Sequence, residues 1–379
     1  MRVGFVLDES LDGTDGVQQY VLRVSDWLRS EGHEVHYLVG ETTRTDVPNI
    51  HSLTSNLHVR FNGNRLSTPL PASRTTLQTV LDELQLDVLH IQAPYSPFMA
   101  GRIMKLATKD TAVIGTFHIL PYSRLASFAN YGLGLLNRLS AQRFDAMMAV
   151  SAPAQAFAAS HYGLTSTVVP NCFDFRTFRA GKADSEQKSI VYLGRLVERK
   201  GSLELVRAVA FLYERGQWPK GWRVVLGGKG QLQDTIRRFL VQHKLDDIVS
   251  LRGFVEENKK ADFLAQADIA VFPSTAGESF GISLLEAFAA SRGVVLAGDN
   301  PGYRSVMEGF ESQLFNPKNT EAFAALLADW MHNAPGRARL ADMQRTYVER
   351  FDAGTVGEQI MAVYEKALQS RRPSWHNES

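Results

Sequence analysis

Short apolar runs alternate with longer amphipathic stretches along most of the chain. Arg2 to Leu7 is a run of strand length, and Val17, Tyr20, Val21, Val24 and Leu28 then recur at helical spacing until Gly32. The same alternation predicts strands at Glu34 to Val39, Val88 to Gln92, Ala112 to His118 and Ala146 to Val150. It predicts further strands at Ile190 to Gly194, Arg223 to Gly227, Val249 to Gly253, Ile269 to Pro273 and Val294 to Ala297. Strands of this kind, separated by helices of about ten or more residues, build parallel sheets covered by helices. The fold class is α/β, with two doubly wound sheets. A polar, turn-rich stretch from Pro170 to Phe173 and on through Ala180 to Gln187 is the predicted linker.

A chain of 379 residues with 44% hydrophobic content can build a sizeable core in each of about two to three domains. Its 41 Lys and Arg balance 40 Asp and Glu, so no global field favours nucleic acid and any anionic partner must meet a local patch. One cysteine, Cys172, excludes an internal disulfide framework and fits a reducing cytosol. The first apolar run is cut short at Asp8, which argues against a signal peptide, and no run approaches the ~18 residues of a membrane span. A soluble or peripheral protein is expected.

The candidate chemistry lies in two segments that each follow a predicted strand. In Gly277-Glu278-Ser279-Phe280-Gly281-Ile282-Ser283-Leu284-Leu285-Glu286 a loop turns into a helix expected to begin near Phe280 or Gly281. The free N–H groups of such a helix mouth, at the carboxyl edge of a parallel sheet, suit a diphosphate. Glu278 falls in the loop and Glu286 lies about 80° round the helix, so the two acids are placed to bracket one ligand. The second segment, Gly194-Arg195-Leu196-Val197-Glu198-Arg199-Lys200-Gly201, offers Arg195 and Lys200 to a leaving diphosphate without a metal. No Asp-x-Asp motif occurs, and the 10 His and one Cys lack zinc spacing, so no metal or other cofactor is expected. The plainer alternatives are that Glu278 caps the helix and that the two cations are solvated charges. Cations at a helix start oppose its dipole, however, which favours a bound anion as their reason.

These segments resemble the retaining glycosyltransferases of the GT-B fold, family 4, with their Glu-x7-Glu and Gly-Arg-x4-Lys-Gly motifs. Within that family the chain is similar to the phosphatidyl-myo-inositol mannosyltransferases. The likeness spans nearly the whole chain and also takes in Gly16-Val17-Gln18, Asp87-Val88-Leu89-His90-Ile91 and Thr116-Phe117-His118. It implies two Rossmann-like lobes with an inter-lobe cleft: an acceptor-side lobe over 1–172 and a nucleotide-sugar lobe over 173–352. Residues 353–379 then supply a helix, around Val356 to Leu368, that returns to the first lobe, with a loose tail from Arg371.

The resemblance assigns roles residue by residue. Gly16, Arg195, Lys200, Phe280, Gly281, Ile282 and Glu286 are expected to bind the donor, with Glu286 on the ribose. Glu278 is expected to orient the sugar or shield charge at its anomeric carbon, and His118 to bond a sugar hydroxyl. A lone histidine at a strand end is otherwise more often structural. Phe254 and Val255, after a predicted strand, are candidates for contact with the base. Gly227-Gly228-Lys229-Gly230 is no Walker loop, since no Ser or Thr follows Lys229, and it is expected to shape the nucleotide side.

Acceptor signals are Gln18 and Asn62, which match the lipid-linked mannosyltransferases, and Glu9, which stands where those enzymes tend to carry an aromatic residue. The region Arg60 to Arg74 matches their acceptor and membrane region, but their strongly basic helix has mostly neutral counterparts at Thr75 to Glu83. Leu125, Phe128, Leu135, Leu136 and Leu139 share one helical face within Pro121 to Phe144, read either as a membrane-surface helix or as an ordinary packed one.

The implied activity is transfer of a hexose, with retention, from GDP-mannose to phosphatidyl-myo-inositol at the inner face of the cell membrane. UDP-glucose or another donor with a diacylglycerol, polyprenyl or polysaccharide acceptor is the alternative. From other classes come a non-catalytic nucleotide-sugar-binding protein and a nucleotide-sugar epimerase. No covalent nucleophile is evident, which favours a same-face route while leaving double displacement open.

Overall fold

A computed structural model describes residues 1–13, 15–61, 64–70, 72–92, 94, 96, 98–120, 142–183 and 187–371; within 57–69 only the backbone is described. The described chain divides into two compact units, Met1–Cys172 with Ala353–Ser379, and Phe173–Asp352.

The first unit holds a parallel sheet of seven strands in the order β3-β2-β1-β6-β7-β8-β9. These are β1 (Arg2–Leu7), β2 (Glu34–Val39), β3 (Ile50–Ser52), β6 (Val88–Ile91), β7 (Ala112–Phe117), β8 (Ala146–Ala149) and β9 (Thr167–Val168). A separate antiparallel hairpin joins β4 (Asn56–Phe61) to β5 (Asn64–Pro69). Strand β1 lies between β2 and β6 and is buried along nearly its whole length, which is why it reads as a continuous apolar run. Val3, Phe5 and Leu7 pack under Tyr20, Val21, Val24 and Leu28 of the helix Gly16–Ser30.

The same core takes Val356, Ile360, Tyr364 and Ala367 from the last helix, Ala353–Arg371. That helix runs further than expected. Arg371 belongs to its last turn, where Nε donates to Asp145 Oδ1 at 2.7 Å and a guanidinium N–H reaches the Lys109 carbonyl at 3.1 Å, so the expected tail does not begin there.

In the second unit six parallel strands run in the order β12-β11-β10-β13-β14-β15. They are β10 (Lys188–Leu193), β11 (Trp222–Gly227), β12 (Val249–Gly253), β13 (Ile269–Phe272), β14 (Val294–Gly298) and β15 (Leu314–Phe315). In both sheets the strand order reverses beside the first strand, between β1 and β6 and between β10 and β13. The crevice outside the carboxyl ends at such a reversal is where doubly wound sheets bind ligands. The two sheets are two Rossmann-like lobes.

The expected linker is not irregular throughout. Asp174 caps a short helix, Phe175–Arg179, by accepting from the Thr177 amide at 2.9 Å, and Phe178 is buried. Strands β3, β4, β5, β9 and β15 carry no clear apolar run and were not anticipated; three of them are only two or three residues long.

Candidate active site

Strand β10 runs into Gly194–Gly201 and β13 into Pro273–Gly281, so both motif segments leave the second sheet at its reversal point. Backbone bonds tie the loops together. The Arg199 carbonyl accepts from the Thr275 amide at 2.9 Å and from Ser274 Oγ at 3.0 Å. Leu196 donates to the Lys229 carbonyl at 3.0 Å and Gly228 to the Gly253 carbonyl at 2.7 Å, which brings the turns after β11 and β12 into the same edge. Gly201 has φ +72°, and a Cβ there would strike the Pro273 carbonyl, so only glycine lets the two loops approach this closely.

Glu278 is the hub of this edge. Its Oε1 lies 2.8 Å from Arg199 and 2.9 Å from Lys200 Nζ, and it accepts from Ser274 Oγ at 2.8 Å. Burial opposes ionisation, but Lys200 and Arg199 hold the Glu278 carboxyl below the usual carboxylate range. Lys200 is pushed down from the ordinary lysine value by burial first and by Arg199 beside it, against the pull of Glu278. Two cations on one carboxylate leave positive charge in excess where a diphosphate would bring negative charge. Arg199 was not singled out from the sequence, because its neighbours Arg195 and Lys200 carry the motif spacing. Arg195 is half-buried at the start of the same loop, and its carbonyl accepts from Tyr192 at 2.8 Å.

The helix after the Glu278 loop spans Ile282–Ala290, one or two residues later than expected, with Gly281 as its cap residue at φ +136°. Leu284 donates back to the Gly281 carbonyl at 2.9 Å, closing the first turn tightly. Phe280 is turned into the core against Phe351, ring centroids 5.7 Å apart, so contact with a ligand here falls to its backbone. Glu286, 4% exposed, lies in the second turn. Lys260, a cation outside both motif segments, places Nζ 3.7 Å from Glu286 and 2.7 Å from Glu257. The two acids are thus held by different cations. After β12, Phe254 is 55% exposed while Val255 is buried.

On the first unit, Gly16 opens the helix Gly16–Ser30 and is exposed. Gln18, in its first turn, donates from Nε2 to Glu9 Oε2 at 3.0 Å and to the Ser10 carbonyl at 3.3 Å, joining two of the expected acceptor residues. Asn62, the third, lies outside the described residues, as does 121–141, most of the apolar-faced segment. His118 follows β7 directly, with Nε2 2.8 Å from Gln92 Oε1 and its ring edge-on to Tyr20 at 5.1 Å. Burial pushes its pKa down to about 3, so it is neutral at physiological pH. His90, equally buried, bridges Tyr364 of the last helix at 2.7 Å and Thr116 at 2.6 Å.

Among the described residues no group of three or more His, Cys, Asp and Glu is placed to hold a metal ion, and no helix is long and apolar enough to cross a membrane.

Comparison with known proteins gives this geometry its context. A Glycosyltransferase Family 4 model matches residues 14–176 and a Glycosyl transferases group 1 model matches 174–346. The phosphatidyl-myo-inositol mannosyltransferase of Mycolicibacterium smegmatis is 29% identical over 373 residues, covering 96% of this chain and 94% of that protein. The enzyme of the same name from Mycobacterium tuberculosis is 29% identical over 377 residues, covering 96% and 97%. Among solved structures, a glycosyltransferase from Rickettsia africae superposes with a TM-score of 0.74 at 16% identity, covering 97% of this chain and 98% of that one. Anabaena HepE in complex with UDP and glucose gives 0.68 at 16% identity, covering 96% and 99%. With the two domain types matched in series on two Rossmann-like lobes, the chain belongs to the GT-B glycosyltransferases, a family 4 domain followed by a group 1 domain.

Proposed function

We propose that this glycosyltransferase moves mannose from GDP-mannose to phosphatidyl-myo-inositol, with retention at the anomeric carbon and without a metal. The observation that carries the reading is the cluster of Lys200, Arg199 and Ser274 on Glu278, where the sheet order of the second unit reverses. The near full-length likeness to two phosphatidyl-myo-inositol mannosyltransferases supports the choice of donor sugar and lipid acceptor.

In this reading the diphosphate lies at the mouth of the helix Ile282–Ala290, with Gly281 and the Phe280 backbone beside it. Arg195 and Lys200 stabilise the charge that grows on the diphosphate as the glycosidic bond breaks. Glu278 faces the sugar and Glu286 accepts from the ribose hydroxyls, while Phe254 and Val255 flank the base. On the first unit, Gly16 offers its backbone to the diphosphate and His118 bonds a sugar hydroxyl. Gln18, Glu9 and Asn62 meet the polar head of the acceptor. The leaving phosphate takes the acceptor proton on the same face. The enzyme works in the cytoplasm, on the inner face of the membrane.

The test is transfer from GDP-mannose by purified protein to vesicles with and without phosphatidylinositol, with the product anomer read by NMR. Phosphatidylinositol-dependent formation of an α-mannoside is expected. Transfer from UDP-glucose, or to diacylglycerol or polyprenyl carriers instead, would replace donor and acceptor in this proposal, and inversion would overturn the route.

A further inference from the structure

Gln92 and His118 are each the first residue beyond a strand, β6 and β7, which pair side by side in the first sheet. His118 lies one strand further along the edge from Gln92, which sits beside the reversal point between β1 and β6, where its backbone N–H donates to the Val6 carbonyl at 3.0 Å. Gln92 is 3% exposed. The carbonyl oxygen Oε1 faces His118 Nε2 at 2.8 Å, but the amide nitrogen Nε2 is buried with no hydrogen-bond partner among the described residues. A buried amide donor left unmade costs about 1–3 kcal/mol, so its retention needs a reason.

The chemistry of the contact fixes more than a distance. An amide oxygen only accepts, so His118 Nε2 must carry the ring proton. A neutral imidazole then has a bare lone pair at Nδ1. The two side chains together leave an acceptor, His118 Nδ1, and the N–H donors of Gln92 Nε2 unused by this bond. That pairing matches the hydroxyls of a sugar or cyclic polyol, each of which both donates and accepts.

We propose that Gln92 is a ligand-binding residue of the transferase, which locks His118 as the Nε2–H tautomer and donates its own amide N–H to a hydroxyl of the ring that His118 also contacts. This rests on the assignment of His118 to a hydroxyl-bearing ligand. The ring is the hexose of the donor, on which the proposed function places His118; the polyol head of the acceptor is the rival outcome of the test, and the two give different kinetics.

The test joins spectroscopy to kinetics. In protein carrying 15N-labelled histidine, the His118 ring nitrogens should show a protonated Nε2 and a bare Nδ1 in the wild type. Gln92→Met should lose that single-tautomer signature, and Gln92→Glu, which keeps an acceptor but has no N–H, should retain it. With GDP-mannose as donor, both variants should lower kcat/KM by about tenfold, as the loss of one ligand hydrogen bond does. If the hexose is the ring bound, the loss shows in hydrolysis of GDP-mannose without acceptor. Unchanged hydrolysis with a raised KM for phosphatidylinositol would overturn the hexose assignment and move the ring to the acceptor.

A protonated Nδ1 in the wild type would overturn the proposal, as would both variants keeping kcat/KM within twofold. Should the wild-type protein turn over no nucleotide sugar, the proposed function fails instead. The tautomer is still read from the wild-type spectrum, and with no ligand to bind, a lost signature in Gln92→Met would assign Gln92 to the support of His118 alone and so also overturn ligand binding.

Discussion

Lys200 Nζ sits 2.9 Å from Glu278 Oε1, on a carboxylate that already accepts from Arg199 and Ser274. Lys200 is therefore held in a protein environment that disfavours its own charge, with Arg199 close by. A bound diphosphate would relieve that, since it brings the missing negative charge. Lys200→Met should leave the melting temperature of the free protein unchanged or higher, because Glu278 keeps Arg199, while turnover falls by about 100-fold as diphosphate stabilisation is lost. A clear fall in thermal stability would mean that Lys200 serves the fold instead.

Glu278→Gln keeps the size of the side chain and its place between the loops but removes the charge. Steady-state kinetics should show kcat reduced by about 100-fold or more with donor affinity within a few-fold of the wild type. Equal loss in both would place Glu278 in binding alone.

Lys260 is expected to act through Glu286. It lies 3.7 Å from that carboxylate and 2.7 Å from Glu257. Lys260→Met should raise the KM for the donor by roughly tenfold with kcat nearly kept, the mark of an interaction made equally in ground and transition states. Titration with nucleotide sugars, followed by thermal stability, should show a matching loss of ligand-induced stabilisation.

Acid should weaken the first unit through its buried histidines. His90 and His118 are both pushed down to about 3 by burial. The unfolded chain takes up their protons below about pH 6.5, whereas the folded chain excludes them until about pH 3, so stability falls as pH drops through this window. Each histidine contributes roughly 1.4 kcal/mol per pH unit. Urea unfolding at pH 7 and pH 5 should show a smaller loss for His90→Asn than for the wild type. Parallel losses in the two proteins would show that His90 is not kept neutral in the fold.

Gly201→Ala tests the junction of the two motif loops. The φ of +72° and the Pro273 carbonyl at the Cβ position both oppose a side chain, and a cost on the order of 2–4 kcal/mol is expected in denaturant midpoints. A change below about 0.5 kcal/mol would mean that the loops can part without penalty.

Central strands buried on both faces were legible from the sequence because mostly apolar residues fill them, as β1 and β13 show. Short edge strands such as β9, both residues of it exposed, carry no such mark. The helix start is expected near Phe280 or Gly281 because Gly277 ends the loop's breakers just before the stripe of Ile282, Leu285, Phe288 and Ala289. In the structure Phe280 is buried against Phe351 from the loop, a contact with a residue far along the chain that no local period reveals. At the site, spacing drew attention to Arg195 and Lys200, but which cation meets Glu278 depends on the tight turn at Glu198–Lys200, which swings Arg199 onto the carboxylate as well. Lys260 and Gln92 had no motif to announce them. They matter through partners that only the sheet order brings near.

The first unit is interrupted in sequence, and its core needs Val356, Ile360, Tyr364 and Ala367 from the last helix. During synthesis, then, the segment before 173 must wait for the helix after 352, while the intervening 173–352 can close as soon as it leaves the ribosome. A ribosome stalled before residue 353 would hold a nascent chain whose opening sheet still shows one greasy flank, a natural target for chaperones.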